Sequence, residues 1–311
     1  MKLLLCTKND LFGAVILNYL LPELRGHEIR VLLSDKARSG EDTIPELRAE
    51  KFLEREYPLD HFFPSLDREA TTGQWLTFNA LAATFGVPIE REYDINGSES
   101  TLRLTTWAPD LILSARFSLI FKPHILALAR RGAYNVHPGV LPGYAGVMAP
   151  LRAVWNGEPR LGCTVHLLDQ GIDTGPVYSI SHLLATPGRA VQSYIPDLYR
   201  LGIDSLLELV KSIERGHRPA VVPQDTAAFR YFRPPTAEEY RANRAKNIRL
   251  YDLEDYSKVL RQFLPTDATS ETRHRTDREN VESQLSQHME ARWPSLLGKL
   301  PMKEEGKERK D

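Results

Sequence analysis

Three polar side chains are spaced so that they could do chemistry together. Asn135 and His137 stand on either side of Val136 in the stretch YNVHPGVLPGYAG, residues 134–146. In an extended strand both would point the same way. The loop that follows is stiffened by Pro138 and Pro142, while Gly139, Gly143 and Gly146 let its backbone come close to a bound molecule. A second stretch, DQGIDTG at 169–175, supplies Asp173, which can reach His137 from a neighbouring strand end. A carboxamide NH₂ and an imidazole can hold a developing oxyanion, and a carboxylate can orient the imidazole or relay a proton. The set has no Ser or Cys nucleophile and no metal ligands, so the nucleophile has to come from a substrate. Direct acyl transfer from one small molecule to an amine of another fits.

Each residue also has an ordinary structural role open to it. An isolated histidine is more often structural than catalytic, Asn135 suits a turn at a strand end, and Asp173 before Thr174–Gly175 is a good turn former. His124, His166 and His182 have no spaced partners and read as structural. The histidines at 27, 61, 217, 274 and 288 lie in polar or loop contexts and carry no signal.

The elements that must position this set alternate along the chain. Leu3–Cys6 is a short apolar strand, and 11–24 is a helix apolar enough to pack on a sheet. HEIRVLLSD is a second strand, ending in a turn at Ser34–Asp35. NALAATFG is a helix closed by Gly86. DLILSA, 110–115, suits a central parallel strand buried on both faces. FKPHILALARRG places Pro123 at a helix start and Gly132 past its end. Ala133–Val136 is the strand that delivers the loop. LRAVWNGE is a helix, GCTVHLLD and GPVYSISHLL are strands joined by QGIDT, and 190–216 is mostly helical despite Pro196.

Such alternation predicts an α/β fold: an open, mostly parallel, Rossmann-like sheet with flanking helices. Ligands of such sheets sit outside the carboxyl ends of the strands. The first strand leads into CTKNDLFG, with a single glycine, so no dinucleotide fingerprint is present.

Length and composition agree. The 311 residues, 42% hydrophobic, allow one large domain or a domain with an appendage. Forty Lys and Arg against 41 Asp and Glu leave a formal charge of −1, with no electrostatic footprint for nucleic acid or an anionic membrane. Cys6 and Cys163 are far apart and point to a reducing, cytoplasmic compartment. The opening MKLLLCTKND is too short in apolar residues for a signal core and reads as a strand. No run reaches the roughly 18 apolar residues of a membrane span. From Thr266 the chain turns polar, with one helix expected near Glu279–Arg292, and Trp293, Leu296, Leu297 and Leu300 able to dock back. The expected organisation is a catalytic domain over 1–230, a small C-terminal extension over 231–265 and a polar, flexible tail over 266–311.

Taken together, NVHPGVLPGYAG and LDQGIDTGPVY resemble the motifs of the formyltransferases that use 10-formyltetrahydrofolate. The likeness covers roughly residues 1–230. It implies the formyltransferase fold, and it carries over onto Asn135, His137 and Asp173 the family's catalytic Asn, His and Asp. The stretch DLILSARFSLIFKPHIL is similar to the strand and loop lining the folate pocket, which places the donor's pterin near Ser118, Leu119, Ile120 and Phe121. The turn carrying Asp169, Gln170 and Gly171 completes that expected pocket. No metal is implied. Gly139, where the family commonly has Ser, and Gly143–Tyr144–Ala145, which lacks the family's frequent Arg, depart from the pattern on the acceptor side.

The resemblance implies formyl transfer to the amine of a small molecule, such as a nucleotide-linked amino sugar or a hydroxyornithine. The glycine-rich loop and residues 229–250 would shape that acceptor site. Two alternatives change the acceptor, to methionyl-tRNA or to water in a deformylase. The polar residues after 266 are too few for the barrel-like domain of the tRNA enzymes, which argues against tRNA. A folate-binding protein without transfer activity is the non-enzyme alternative. The sequence is silent on oligomeric state.

Overall fold

A computed structural model of the chain describes residues 1–37, 40–70, 72–246 and 248–265, together with Ser283 and Gln287. The expected tail, its helix and its docking residues lie outside these, those two positions apart.

Among the described residues nine strands run β1 (Lys2–Lys8), β2 (Glu28–Ser34), β3 (Ile89–Glu92), β4 (Leu111–Ala115), β5 (Ala133–His137), β6 (Ala145–Gly146), β7 (Arg160–Leu167), β8 (Val177–Leu184) and β9 (Tyr231–Phe232). Seven form one sheet in the order β3-β2-β1-β4-β5-β7-β8, and β6 pairs with β9 in a separate two-stranded sheet. Pairing is parallel from β3 through β5. It turns antiparallel at β5–β7 and β7–β8. Strand order reverses between β1 and β4, so a crevice must open at their carboxyl ends.

The central strands read as unbroken apolar runs because both faces are covered. Leu3, Leu5, Leu113 and Val136 pack with the helices Leu11–Leu20 and Ile195–Glu214 on one face. Leu4, Cys6 and Ile112 pack with Leu104, Trp107 and Ile125 on the other. Gly202 lets the long helix lie close to the sheet: a Cβ there would meet Val136 Cγ1 at 2.4 Å and Cys163 Sγ at 2.5 Å.

Several expectations change in extent. The first helix ends at Leu20 rather than 24. The helix after Pro123 stops at Leu126, and bonds such as Leu128 N to Ile125 O and Gly132 N to Ala129 O wind the rest into tight turns toward β5. Pro196 is accommodated because it falls in the first turn of Ile195–Glu214, where its missing N–H costs nothing. Strand β3, the helix Ser98–Trp107 and the helical stretch from Pro45 to Glu69, with two π-helical segments, had no counterpart in the sequence reading.

Residues 231–265 pack on the body. Tyr251, Tyr256, Leu260 and Phe263 share a cluster with Leu11, Phe12, Phe52, Leu53, Phe62 and Phe63. Tyr256 Oη donates to the Leu53 carbonyl at 2.7 Å.

Candidate active site

A cavity of about 460 Å³ lies at the reversal of strand order. Its wall includes Lys8 from the end of β1, Arg116 just past β4, Asn135 and His137 from β5, and Asp173 from the loop joining β7 to β8. The three residues singled out by type and spacing therefore meet around one space.

Strand geometry explains the meeting. Asn135 and His137 alternate onto the same face of β5. On the antiparallel neighbour β7, His166 lies directly opposite Asn135 and Thr164 opposite His137. His137 is 5% exposed. Its Nε2–H donates to the Tyr144 carbonyl at 2.7 Å, which pins the ring under the glycine-rich loop, and Nδ1 faces Asp173 Oδ2 at 3.5 Å.

Asp173 sits in the left-handed backbone region at φ 56, one of few such non-glycine residues here and a conformation Asp tolerates better than most. Gln224 Nε2 holds that turn by donating to the carbonyls of Asp173 at 2.8 Å and Gly175 at 2.7 Å. The amide of Gly146 donates to Asp173 Oδ2 at 2.8 Å. Gly146 has φ +95, and a Cβ there would meet the Phe232 carbonyl at 2.1 Å, so the loop can present this amide only with glycine. Burial alone would raise the Asp173 carboxyl, but the charges and hydrogen bonds of His137, His166 and the Gly146 amide outweigh it and lower it to about 2.

His166, read from the sequence as structural, belongs to this group. It is 1% exposed, and its Nδ1–H donates to the Leu167 carbonyl at 2.8 Å. The neutral ring can then accept from Asn135 Nδ2 through Nε2, at 3.2 Å, leaving the second amide hydrogen of Asn135 for the cavity. A protonated ring would donate to Asp173 Oδ1, 3.5 Å away, instead. Nε2 cannot do both at once: a neutral His166 holds Asn135, and a protonated His166 joins His137 and the Gly146 amide in keeping Asp173 ionised. The contact links two strands 31 residues apart in sequence, and no local spacing signals it.

The expected donor-side residues divide. Ser118, Leu119 and Ile120 line the cavity. Ser118 is set by Ser34 at the end of β2, whose Oγ accepts from its backbone N–H at 2.8 Å. Asn96 clamps the next residues, donating to the Ile120 carbonyl and accepting from the Lys122 amide, both at 2.8 Å. Phe121 instead turns into the core and stacks on Phe117, and Phe117 is the ring on the cavity wall. Asp169, Gln170 and Gly171 are not on the wall. Asp169 organises the turn by accepting from Gly171 N and Thr174 Oγ1, while Ile172 and Asp173 reach the cavity. Of residues 229–250, Tyr231, Pro234, Tyr240 and Leu250 contribute to it.

Among the described residues no group of three or more His, Cys, Asp and Glu could hold a metal ion. Among the same residues, no helix is long and apolar enough to cross a membrane.

An open α/β sheet carries a carboxamide, an imidazole and a carboxylate at its strand ends. Residues 91–202, a stretch that contains Asn135, His137 and Asp173, match the formyl transferase family. The methionyl-tRNA formyltransferase of Kosmotoga olearia is 28% identical over 201 residues, 63% of this chain and 64% of that protein. The chain thus spans less than two thirds of the length of that relative. Among solved structures, glycinamide ribonucleotide transformylase 1 from Symbiobacterium toebii superposes at a TM-score of 0.50 and 17% identity, covering 72% of this chain and 94% of that one. A 4-N formyltransferase from Francisella tularensis superposes at 0.51 and 14%, covering 78% of each. At those identities the likeness is one of fold.

Proposed function

We propose that this protein transfers the formyl group of 10-formyltetrahydrofolate to the amine of a small molecule. The observation that carries the reading is the convergence of Asn135, His137 and Asp173, from two separate turns, on one cavity within residues that match the formyl transferase family. The amine nitrogen attacks the formyl carbon, the bond from that carbon to N10 of the folate breaks, and the proton lost by the amine ends on N10. Asn135 has an amide hydrogen free for the oxyanion that develops on the formyl oxygen. His137, anchored by the Tyr144 carbonyl, orients Asp173 and stabilises the oxyanion when positively charged. Asp173, held ionised, takes the amine's proton through a water.

The apolar residues Phe117, Leu119, Ile120 and Ile172 give the donor's flat ring a surface, and Ile120 and Ile172 are 54% and 40% exposed at its edge. Incubating the protein with 10-formyltetrahydrofolate and candidate amines tests the reading. We expect formylated amine, and a loss of about 10²–10³ in rate with Asn135→Ala. Turnover left intact by His137→Ala and Asp173→Ala would sink the mechanism. The similarity to a methionyl-tRNA formyltransferase favours tRNA as the second acceptor to try. Salt-sensitive tRNA binding would support it, and folate turnover with no amine present would instead support a deformylase.

A further inference from the structure

His137 rests on a backbone carbonyl, and a side chain holds that backbone in place. Residues 143–146 read Gly-Tyr-Ala-Gly, so Tyr144 is the only one of the four whose side chain can fasten the turn. Its hydroxyl donates to Glu158 Oε1 at 2.5 Å and accepts from Asn156 Nδ2 at 3.1 Å, both just past the helix Ala149–Trp155. Burial, and after it the bond to Glu158, raises the Tyr144 phenol, so the hydroxyl keeps its proton and stays a donor. The ring stacks on Phe232 of β9, with centroids 5.9 Å apart and planes 19° apart.

That short stretch touches both ionisable members of the catalytic set. The Tyr144 carbonyl accepts the Nε2–H of His137 at 2.7 Å, and two residues further on the Gly146 amide donates to Asp173 Oδ2 at 2.8 Å. A small shift of the turn loosens both at once, because hydrogen bonds weaken steeply with misalignment.

Room for the His137–Tyr144 bond comes from Gly139. A Cβ there would meet His137 Nε2 at 2.7 Å, the Tyr144 carbonyl oxygen at 2.9 Å and Ala149 Cβ at 2.6 Å. The first two are the two atoms of the bond itself. The backbone at 139 has little slack, because its N–H donates to the His137 carbonyl at 2.8 Å and its carbonyl accepts from Thr164 Oγ1 at 2.6 Å. A larger residue must therefore displace the imidazole or the carbonyl.

We propose, on the basis of the formyl-transfer reading, that Gly139, Tyr144 and Glu158 are positioning residues for His137. The bare position at 139 lets the imidazole reach the Tyr144 carbonyl, and the Tyr144–Glu158 hydrogen bond holds that carbonyl still. His137 is thereby kept with Nε2 on the carbonyl and Nδ1 toward Asp173. None of the three lines the cavity, so they act on the reaction through His137 and not on a bound molecule.

Two measurements on the full chain test this. Steady-state formyl transfer from 10-formyltetrahydrofolate gives kcat and the donor KM. Nuclear magnetic resonance with isotope-labelled histidine gives the rate at which the Hε2 proton of His137 exchanges with water, its signal assigned by its loss in His137→Gln. Tyr144→Phe, which removes one oxygen and keeps the ring, and Glu158→Ala should each lower kcat and speed Hε2 exchange about tenfold, the loss of one hydrogen bond, with the donor KM unchanged. Glu158→Gln still offers an oxygen to Tyr144 Oη and should recover most of that loss. Gly139→Ala should move both quantities at least as far as Tyr144→Phe. Thermal melting shows which variants fold, and should Gly139→Ala not fold, the other three decide. A kcat or an Hε2 exchange rate left unmoved by Tyr144→Phe or Glu158→Ala overturns the proposal. So does a rise in donor KM with kcat intact, a Glu158→Gln no better than Glu158→Ala, or a folded Gly139→Ala with wild-type kcat. If the wild type formylates no amine, exchange alone decides. Faster exchange in the two variants then leaves the positioning of His137 standing while the transfer reading falls, and unmoved exchange overturns the positioning itself.

Discussion

Replacing Asp173 by Asn removes one charge and almost no volume, so its consequences can be worked from the site. The carboxyl falls from an ordinary 3.8 to about 2 in the folded protein. At 1.36 kcal/mol per unit this corresponds to about 2 kcal/mol of stability. Because the folded value is depressed, the contribution is fully present above the unfolded value of 3.8. It declines as pH falls, to about half near pH 3, and is nearly gone at pH 2. Urea unfolding of the wild type and Asp173→Asn from pH 7 to pH 2.5 measures it directly. The two stability curves should stand about 2 kcal/mol apart at neutral pH and converge toward acid. The amide can still accept from Gly146 N, so the gap isolates the charge. In the formyl-transfer assay the same variant should lose on the order of 10²–10⁴ in kcat, the size of a lost general base. Parallel stability curves, or a gap that widens as pH falls, would show that His137, His166 and the Gly146 amide do not hold the carboxylate ionised.

Two further outcomes follow from the packing. Phe263 is 1% exposed against Phe62, Phe63 and Trp75, and Phe263→Ala should cost about 3–5 kcal/mol in global unfolding; a change below about 1 kcal/mol would mean that the 250s do not belong to this core. Burial raises both the Cys6 and the Cys163 thiols, so in native protein at pH 8 neither should react with an aromatic disulfide reagent, and both should react after denaturation.

Much of the fold was legible from the order of apolar runs and breakers. Leu3–Cys6 and 111–113 are continuous apolar stretches, as suits strands covered on both faces, and both became central. Strand β3, IERE, escaped notice because it is short and lies at the sheet's edge, where only Glu92 of its four residues is buried. The helical stretch 45–69 was missed for the opposite reason: its many aromatics face a partner, residues 251–263, roughly 200 positions away.

The residue types and two-residue spacing of Asn135 and His137, and the turn chemistry around Asp173, were properties of the chain alone, because strand alternation and turn preference act locally. Which atoms face each other was decided only by tertiary structure. The antiparallel register of β5 on β7 set His166 opposite Asn135. Packing under the loop gave His137 Nε2 to the Tyr144 carbonyl, and the Phe117–Phe121 stack turned Phe121 inward. Arg116 acquired its surroundings from segments distant in sequence, Asp10 and Glu54. Such contacts leave no local trace, since long-range register and burial of charge depend on the whole chain closing around them.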